Sequence, residues 1–396
     1  MAQIWAGTDI GKTHHHCVVL NTEDERLLSR RVLNDEPELL DLLVDVLAID
    51  EDVVWAVDVA DGMATLWISV LLNHGQHLVY IPGLAVNRAS AGYRGMGKTD
   101  AKDATVIADQ ARMRRDLTIL RPDDEHSIEL RVLTNRRTDL TADRTRRINR
   151  LRGQLTSIFP ALERALDLGN LGPLILSTGY QTPAALRRTG GKRLVAWLRN
   201  RSVRSPEALA ETALEAAERQ HTTVPGEKIT AQVIHTLAKE VMSLNEQIGE
   251  IDKLIAARFR EHELAEVISS MPGIGPLLGA EFLAATAGDM SRYGTADRLA
   301  SLAGVAPVPR DSGNISGNLH CPRRYNRGLQ RVFYTSALIS IRSCDQSRRF
   351  YERKRAEGKR HTQAVLALAR RRVNVLWALI RDGQCYQSNL PVTTAA

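Results

Sequence analysis

A chain of 396 residues with 43% apolar content is too long for one ordinary core, so two or three domains are expected. No apolar run is long and charge-free enough to cross a bilayer, and MAQIWAGTDIGK lacks the basic start and apolar stretch of a secretory leader. The net charge of +7 divides unevenly: residues 1–110 carry 8 Lys/Arg against 17 Asp/Glu and the remainder 45 against 29, which marks the second part as a surface for phosphate backbones.

Short β-type runs come first, at Ile4–Thr8, His16–Leu20 and Leu27–Leu33, separated by turn-rich GKT and NTEDE. An apolar-periodic stretch from Pro37 to Leu47 predicts a helix, VVWAVDV (53–59) a fourth strand, Ala64–Leu72 a second helix and HLVYIP (77–82) a fifth strand. Three strands in meander followed by alternating helix and strand is a mixed α/β order, that of the ribonuclease H-like fold. After about residue 126 long helices take over. Leu130, Leu133, Leu140, Ile148, Leu151, Leu155 and Ile158 form an imperfect seam broken by Arg137 and Arg144. A Gly/Pro/Ser-rich middle contains two short helical stretches. Then Ile234, Leu237, Val241, Leu244, Ile248, Ile251 and Ile255 alternate spacings of three and four, a coiled-coil pattern that fits pairing within the chain, between chains, or both. MPGIGP (271–276) opens a last region that is basic and helical, with 16 basic and 4 acidic residues in 307–372. The end, QSNLPVTTAA, is expected to fray. The four cysteines, Cys17, Cys321, Cys344 and Cys385, form no C-x-x-C pair, which argues against zinc and disulfides and for a reducing cytoplasm.

Residues 92–113, GYRGMGKTDAKDATVIADQARM, match two patterns. Gly92 to Thr99 satisfies the phosphate-loop spacing G-x-x-x-x-G-K-[ST]. A working phosphate loop joins a buried strand directly to a helix, and here the nine residues GLAVNRASA, which are not strand-like, lie between Pro82 and Gly92. No good downstream strand ends in a metal-binding Asp either, LTILRPDD (117–124) being a poor candidate. The second pattern is a set of carboxylates. Thr99 predicts an N-cap that places Asp100 and Asp103 in the first turn of one helix face, while Asp9 and Asp58 end the first and fourth predicted strands. Helix-dipole complementarity explains an acid in a first turn, but not four acids at these places. Carboxylates gathered at one sheet edge repel unless cations neutralise them, and oxygen-only ligands suit Mg²⁺ or Mn²⁺. His14–His15–His16 lies on a strand, where alternating faces prevent all three serving one metal, and is read as structural.

GTDIGK, VDVADG, GKTDAKDATVIA, PGIG and GVAP…SG, in that order and spacing, resemble the DEDD transposases of insertion sequences, a group that includes the pilin-gene inverting recombinases. The resemblance covers most of the chain. It implies a RuvC-like catalytic domain over 1–125, a helical coiled-coil connector over 126–262, a C-terminal transposase domain over 263–385 and a disordered tail over 386–396. Asp9, Asp58, Asp100 and Asp103 then become the catalytic metal ligands; Asp58 stands where the family usually has Glu, with Asp61 close by as a substitute. Ser312, in the SG motif, becomes a nucleophile activated by the metal-bound acids. The resemblance further implies DNA as substrate, a structured guide RNA from the same mobile element, a dimer to tetramer, no membrane, and a bacterial cytoplasm at the nucleoid. PGIG resembles a helix-hairpin-helix turn, which brings Gly273 and Gly275 to phosphates. Lys98 and the series Arg323, Arg324, Arg327 and Arg331 are expected to track a nucleic-acid backbone, and the basic helix Arg131–Arg152 offers either an RNA contact or a solvated face. Two other functions fit part of the pattern: a structure-specific nuclease using metal-activated water, and a sugar-kinase or actin-like ATPase suggested by TDIGKT. The ATPase lacks its second phosphate motif and adenosine motif here, and a non-catalytic nucleic-acid scaffold is a third alternative.

Overall fold

The computed structural model describes residues 4–59, 62–93, 99–114, 117–120, 125–313 and 316–387. It divides into two compact units, Met1–Asp123 and Asp124–Ala396.

The first unit is a six-stranded sheet with helices on both faces. Its elements run β1 (Ile4–Asp9), β2 (His14–Leu20), β3 (Arg26–Leu33), α1 (Glu36–Leu47), β4 (Val53–Val57), α2 (Thr65–Asn73), β5 (His77–Tyr80), α3 (Gly83–Ser90), α4 (Asp100–Met113) and β6 (Thr118–Leu120). The spatial order is β3-β2-β1-β4-β5-β6. β1 pairs parallel with β4 and β4 with β5, whereas β2, β3 and β6 run antiparallel to their neighbours. This is the strand order expected of a ribonuclease H-like domain. β1 lies inside the sheet, which is why Ile4–Thr8 carries no charge, and the outer β3 tolerates Arg26, Arg30 and Arg31. Thr8, Trp55, Trp67 and Val57 pack on the α1/α2 side, where Trp67 donates an indole N–H to Thr8 Oγ1 at 3.2 Å. Trp5, Ala56, Val106, Ile107 and Ala111 pack on the opposite, α4 side. Two elements were not expected from the sequence. GLAVNRAS folds as α3, and the short run at 118–120 forms the edge strand β6.

The second unit contains α5 (Glu125–Ile158), α6 (Pro160–Ala165), α7 (Leu171–Gly179), α8 (Pro183–Arg199, kinked at Gly190), α9 (Pro206–Glu218), α10 (Glu227–Glu261), α11 (Ala265–Ser270), α12 (Pro276–Thr286) and α13 (Ala296–Leu302). A small hairpin, β7 (Val308–Pro309) and β8 (Leu319–His320), precedes α14 (Arg327–Ser343), α15 (Asp345–Ala356) and α16 (His361–Asp382). α5 and α10 pair within the chain. Glu129 meets Arg258, Arg137 meets Asp252, and Arg147 meets Glu240, so the pair is antiparallel. Arg137 and Arg144, which interrupt the apolar seam in sequence, cross to Asp252 and Asn245 on α10. The pair serves two cores. Leu151, Leu155, Ile158, Ile234, Leu237 and Val241 pack with α6–α9, whereas Leu130, Leu140, Ile251, Ile255 and Phe259 pack with α11–α16. The span assigned above to a connector therefore shares its hydrophobic core with the span assigned to a C-terminal domain. The 386–396 tail needs one correction: Tyr386 is anchored, its N–H donating to Ser270 Oγ at 2.8 Å, while 388–396 lie outside the described residues.

Candidate active site

Strand parity decides where the first two acids point. Along β1, Trp5 and Gly7 face α4 while Thr8 faces Trp67, so Asp9 faces α4. The β1–β4 register pairs Thr8 with Val57, and one further step sets Asp9 beside Asp58, about 4.8 Å away at the spacing of adjacent strands. Asp58 follows the last residue of β4, with its carboxylate 3.8 Å from where a Cβ on Gly83 would stand, at the start of α3. Both acids are half-buried at the carboxyl ends of parallel strands.

α4 supplies the other two. Thr99 is in extended backbone and its hydroxyl accepts from Lys102 N at 3.2 Å, the N-cap anticipated from sequence. α4 then crosses β1 and β2 through Ala104 and Ala108, which cluster with Val18 and Leu20. The approach is so close that a Cβ on Gly7 would overlap the Ala108 nitrogen and the Ala104 carbonyl oxygen. Trp5 packs against residues further along α4, so the helix runs against the direction of β1 and its first turn lies toward Asp9. Asp103 is half-buried and Asp100 exposed.

His16 joins them. It is the register partner of Asp9 across the β1–β2 hairpin and so faces the same side. Burial lowers its pKa, Asp100 opposes that, and Arg31 and Arg26 add to it. Its Nε2 lies 3.0 Å from Ser29 Oγ. The sequence reading treated all three histidines as structural. The signal that was missed is the hairpin register, which puts His16 opposite an acid. His15 faces the interior, with Nδ1 accepting from Gly11 N at 3.3 Å. Among the described residues no three His, Cys, Asp or Glu side chains already form a group able to hold a metal ion. Asp9, Asp58, Asp100 and Asp103 are oxygen donors with no thiol among them, the donor chemistry of a hard divalent cation. Asp61 and Lys98 lie outside the described residues.

Near the far end of α4, Asp109 is buried and takes a hydrogen bond from Tyr93 Oη, with Arg112 Nη2 at 2.6 Å and Nε at 3.1 Å. Arg112 also reaches Thr22 O at 3.2 Å. Burial and the Asp109 bond push the Tyr93 phenol up to about 12. This clamp ties the chain before residue 94 to the helix that carries the aspartates, and sequence patterns gave no hint of it.

In the second unit Ser312 lies exposed in the β7–β8 hairpin, beside Gly313 at φ +54°. The base of that hairpin is held by Gly304, which leaves no room for a Cβ against the Tyr325 ring, and by Asn326 N donating to Leu302 O. Arg323, Arg324 and Arg327 are exposed after it. Arg331 differs, because it is bound to the buried Glu281 of α12 and so does not project freely toward a backbone. Gly273 is at φ +83° with its Cα face against α14, where a Cβ would stand 2.6 Å from Ser336 O. Gly275, the N-cap of α12, has open space instead. Of the Arg131–Arg152 helix, Arg131, Arg137, Arg144 and Arg147 are engaged with partners in the unit, and Arg136 and Arg150 remain exposed.

Two family profiles match, one described as a transposase over residues 6–160 and one as "Transposase IS116/IS110/IS902 family" over 265–352. The chain belongs to the IS116/IS110/IS902 transposase family. It is 57% identical over 400 residues to an insertion element IS900 protein of Mycobacterium paratuberculosis, covering 100% of both chains. An insertion element IS116 protein of Streptomyces clavuligerus is 52% identical, over 100% of this chain and 98% of that one. The pilin gene-inverting protein of Moraxella bovis is 26% identical over 37% of this chain and 46% of its own. A solved structure of T. thermophilus RuvC in complex with a Holliday junction substrate aligns with 30% of the transposase and 99% of its own chain, at a TM-score of 0.24 and 18% identity. No helix among the described residues of the transposase is long and apolar enough to cross a membrane.

Proposed function

We propose that this transposase excises and inserts its mobile element by cutting and rejoining DNA strands, with Asp9, Asp58, Asp100 and Asp103 as the acid cluster and Ser312 as nucleophile. The observation that carries it is the arrangement of acids. Asp9 and Asp58 face α4 from adjacent parallel strand ends, and the Gly7 contact with Ala104 and Ala108 holds α4, which carries Asp100 and Asp103, close against β1. The carboxylates would hold Mg²⁺ or Mn²⁺, which when bound supplies charge neutralisation at the phosphate and lowers the barrier to deprotonating a hydroxyl. Ser312 Oγ attacks phosphorus, the bond from phosphorus to the 3′ oxygen breaks, and its electron pair leaves with that oxygen. The serine proton passes to a carboxylate of the cluster or to water, and the 3′ oxygen takes up a proton. The products are a phosphoserine ester on the 5′ side and a free 3′-hydroxyl, and rejoining reverses these steps with a new 3′-hydroxyl. An exposed serine on a hairpin suits attack on a substrate as large as duplex DNA. A structured RNA of the element is the proposed guide, with exposed Arg136 and Arg150 available to it. Assembly as a dimer to tetramer is proposed from the family resemblance alone, since the 234–255 seam is used inside the chain.

The test is incubation of the transposase with end-joined element DNA, Mg²⁺ and co-purified RNA. Wild type is expected to give a denaturant-resistant protein–DNA adduct and recombinant DNA. Asp100→Asn should abolish both, and Ser312→Ala should abolish the adduct. Cleavage by Ser312→Ala at the wild-type rate would instead identify a nuclease that uses water.

A further inference from the structure

Arg372, on α16, is 4% exposed. Its Nε donates to Ser336 Oγ at 2.9 Å and its Nη2 to Pro272 O, both neutral acceptors. Among the described residues no carboxylate pairs with it. The titratable groups that act on it are Cys344 and Tyr386, a thiol and a phenol. A buried guanidinium without an anion is costly, and burial here pushes it down to about 10. Burial acts to raise the Cys344 pKa, but hydrogen bonds from Ser347, Tyr386 and Gln346 hold it below its usual value, so this thiol is the nearest group able to bear negative charge.

A cavity of about 50 Å³ adjoins it, lined by Arg371, Arg372, Gln346, Ser347, Phe350 and Tyr386 among others. This exceeds the roughly 10–15 Å³ needed to hold one water, so the cavity admits a small polar occupant. The floor is the buried Arg372 and Ser347, and the rim holds the exposed Arg371 and Gln346. Gln346 and Ser347 belong to the first turn of α15, a helix of 12 residues whose dipole favours negative charge, and their backbone N–H groups bond to the Cys344 sulfur. The approach is cationic. Arg371 and Arg353 each lie 5.2 Å from the centre of the Phe350 ring and Lys354 lies 5.7 Å from it. The acid in that turn, Asp345, is 79% exposed and sits 3.9 Å from Arg348. Tyr386 closes one wall, with its hydroxyl 3.4 Å from Gln346 Oε1 and 3.7 Å from Cys344 Sγ.

We propose that this cavity binds a single phosphate group, held by Arg372 and Arg371 at the start of α15. The phosphate comes either from a DNA backbone, which would deepen the function proposed above, or from free inorganic phosphate, which would not depend on it. Arg372 also holds the Pro272 carbonyl of the PGIG turn, so an anion here would brace that turn from behind.

The full-length transposase is heated in phosphate and in chloride at matched ionic strength, and crystals are soaked in tungstate. Phosphate should raise the Tm by several degrees, and tungstate should appear between Arg371 and Arg372. In Arg371→Gln, a surface change that leaves the fold intact, the apparent phosphate affinity should fall at least fivefold. Tyr386→Phe should weaken it less. Saturating duplex DNA separates the sources. If the backbone fills the site, DNA removes the phosphate-dependent shift and Arg371→Gln lowers the salt slope of DNA binding by about one. If the ligand is free phosphate, the shift persists and the slope is unchanged. No phosphate-specific shift, or tungstate only elsewhere, overturns the proposal. So does equal stabilisation of wild type and Arg371→Gln. None of these readouts involves recombination, so they stand apart from the Ser312 test.

Discussion

Gly7 and Gly273 each stand where a methyl group has nowhere to go. At Gly7 the obstacle is the backbone of α4, which cannot swing aside as a side-chain tip can. Gly7→Ala is expected to cost about 3 kcal/mol, the upper end of overpacking penalties. It should lower the Tm and abolish cleavage while every carboxylate remains, and thermal unfolding beside a strand-cleavage assay checks both. Gly273→Ala combines left-handed backbone with overlap on Ser336 O, for a loss of about 3 kcal/mol in two roughly equal terms. Gly275→Ala meets open space and loses only an N-cap preference, so it should cost about 1 kcal/mol or less, well under Gly273→Ala. The two glycines of PGIG look equivalent as letters. Only the φ value and the distance to α14 separate a packing glycine from an open one, and neither can be read from the motif. The places of Asp9, Asp58, Asp100 and Asp103 in the fold were legible because each stands at a feature with a clear signal, a strand end or an N-cap. The place of His16 was not, because it depends on which residue stands across the hairpin.

Strand β2 brings a titratable residue to each face of the sheet. Burial lowers the pKa of His15, partly offset by hydrogen bonds with Asn34 and Gly11, and lowers that of His16 as well. A depressed histidine stabilises the fold in its neutral form. That stability is present above the ordinary value of 6.5 and is lost as pH falls through the lower folded value. The Tm should therefore fall between pH 7 and pH 5, and His15→Asn, which keeps an acceptor for Gly11 N, should flatten the profile. An identical slope in the two proteins would count against it. Strands β1 to β5 were legible from alternation and from apolar runs, since a sheet face imposes its period on the sequence. β6 has three residues and α3 has a weak apolar pattern, so both are fixed by packing rather than by local preference. The α5/α10 pair showed its seam but not its partner, because intrachain and interchain pairs bury the same residues.

Charge belongs to the whole molecule. Residues 307–372 carry 16 basic and 4 acidic side chains, yet the structure does not leave all of them available. Replacing Arg323, Arg324 and Arg327 together by Gln should reduce the salt slope of DNA binding by up to about three, with the Tm unchanged. Arg331→Gln should act differently, because it leaves buried Glu281 without its cation. Its main effect is expected on thermal stability, by about 2 kcal/mol. The shared core predicts fragment behaviour too. Residues 124–396 are expected to fold cooperatively, whereas 263–396 alone loses Leu130, Leu140, Ile251, Ile255 and Phe259 from its core and should not. Circular dichroism melts of the two fragments test this.

The α5/α10 pair has a last consequence, because its two ends are clamped in separate cores. With 34 residues at 1.5 Å each, α5 is about 50 Å long, and it sets the spacing between the cores as a ruler would. Seven residues added to both helices, between Leu140 and Leu151 on one and between Val241 and Ile251 on the other, would lengthen that ruler by about 10 Å and return every facing pair to register. The same insertion in one helix would set Arg137 and Arg147 against the wrong partners. The distance between the two cores is thus written twice in the chain, in opposite directions.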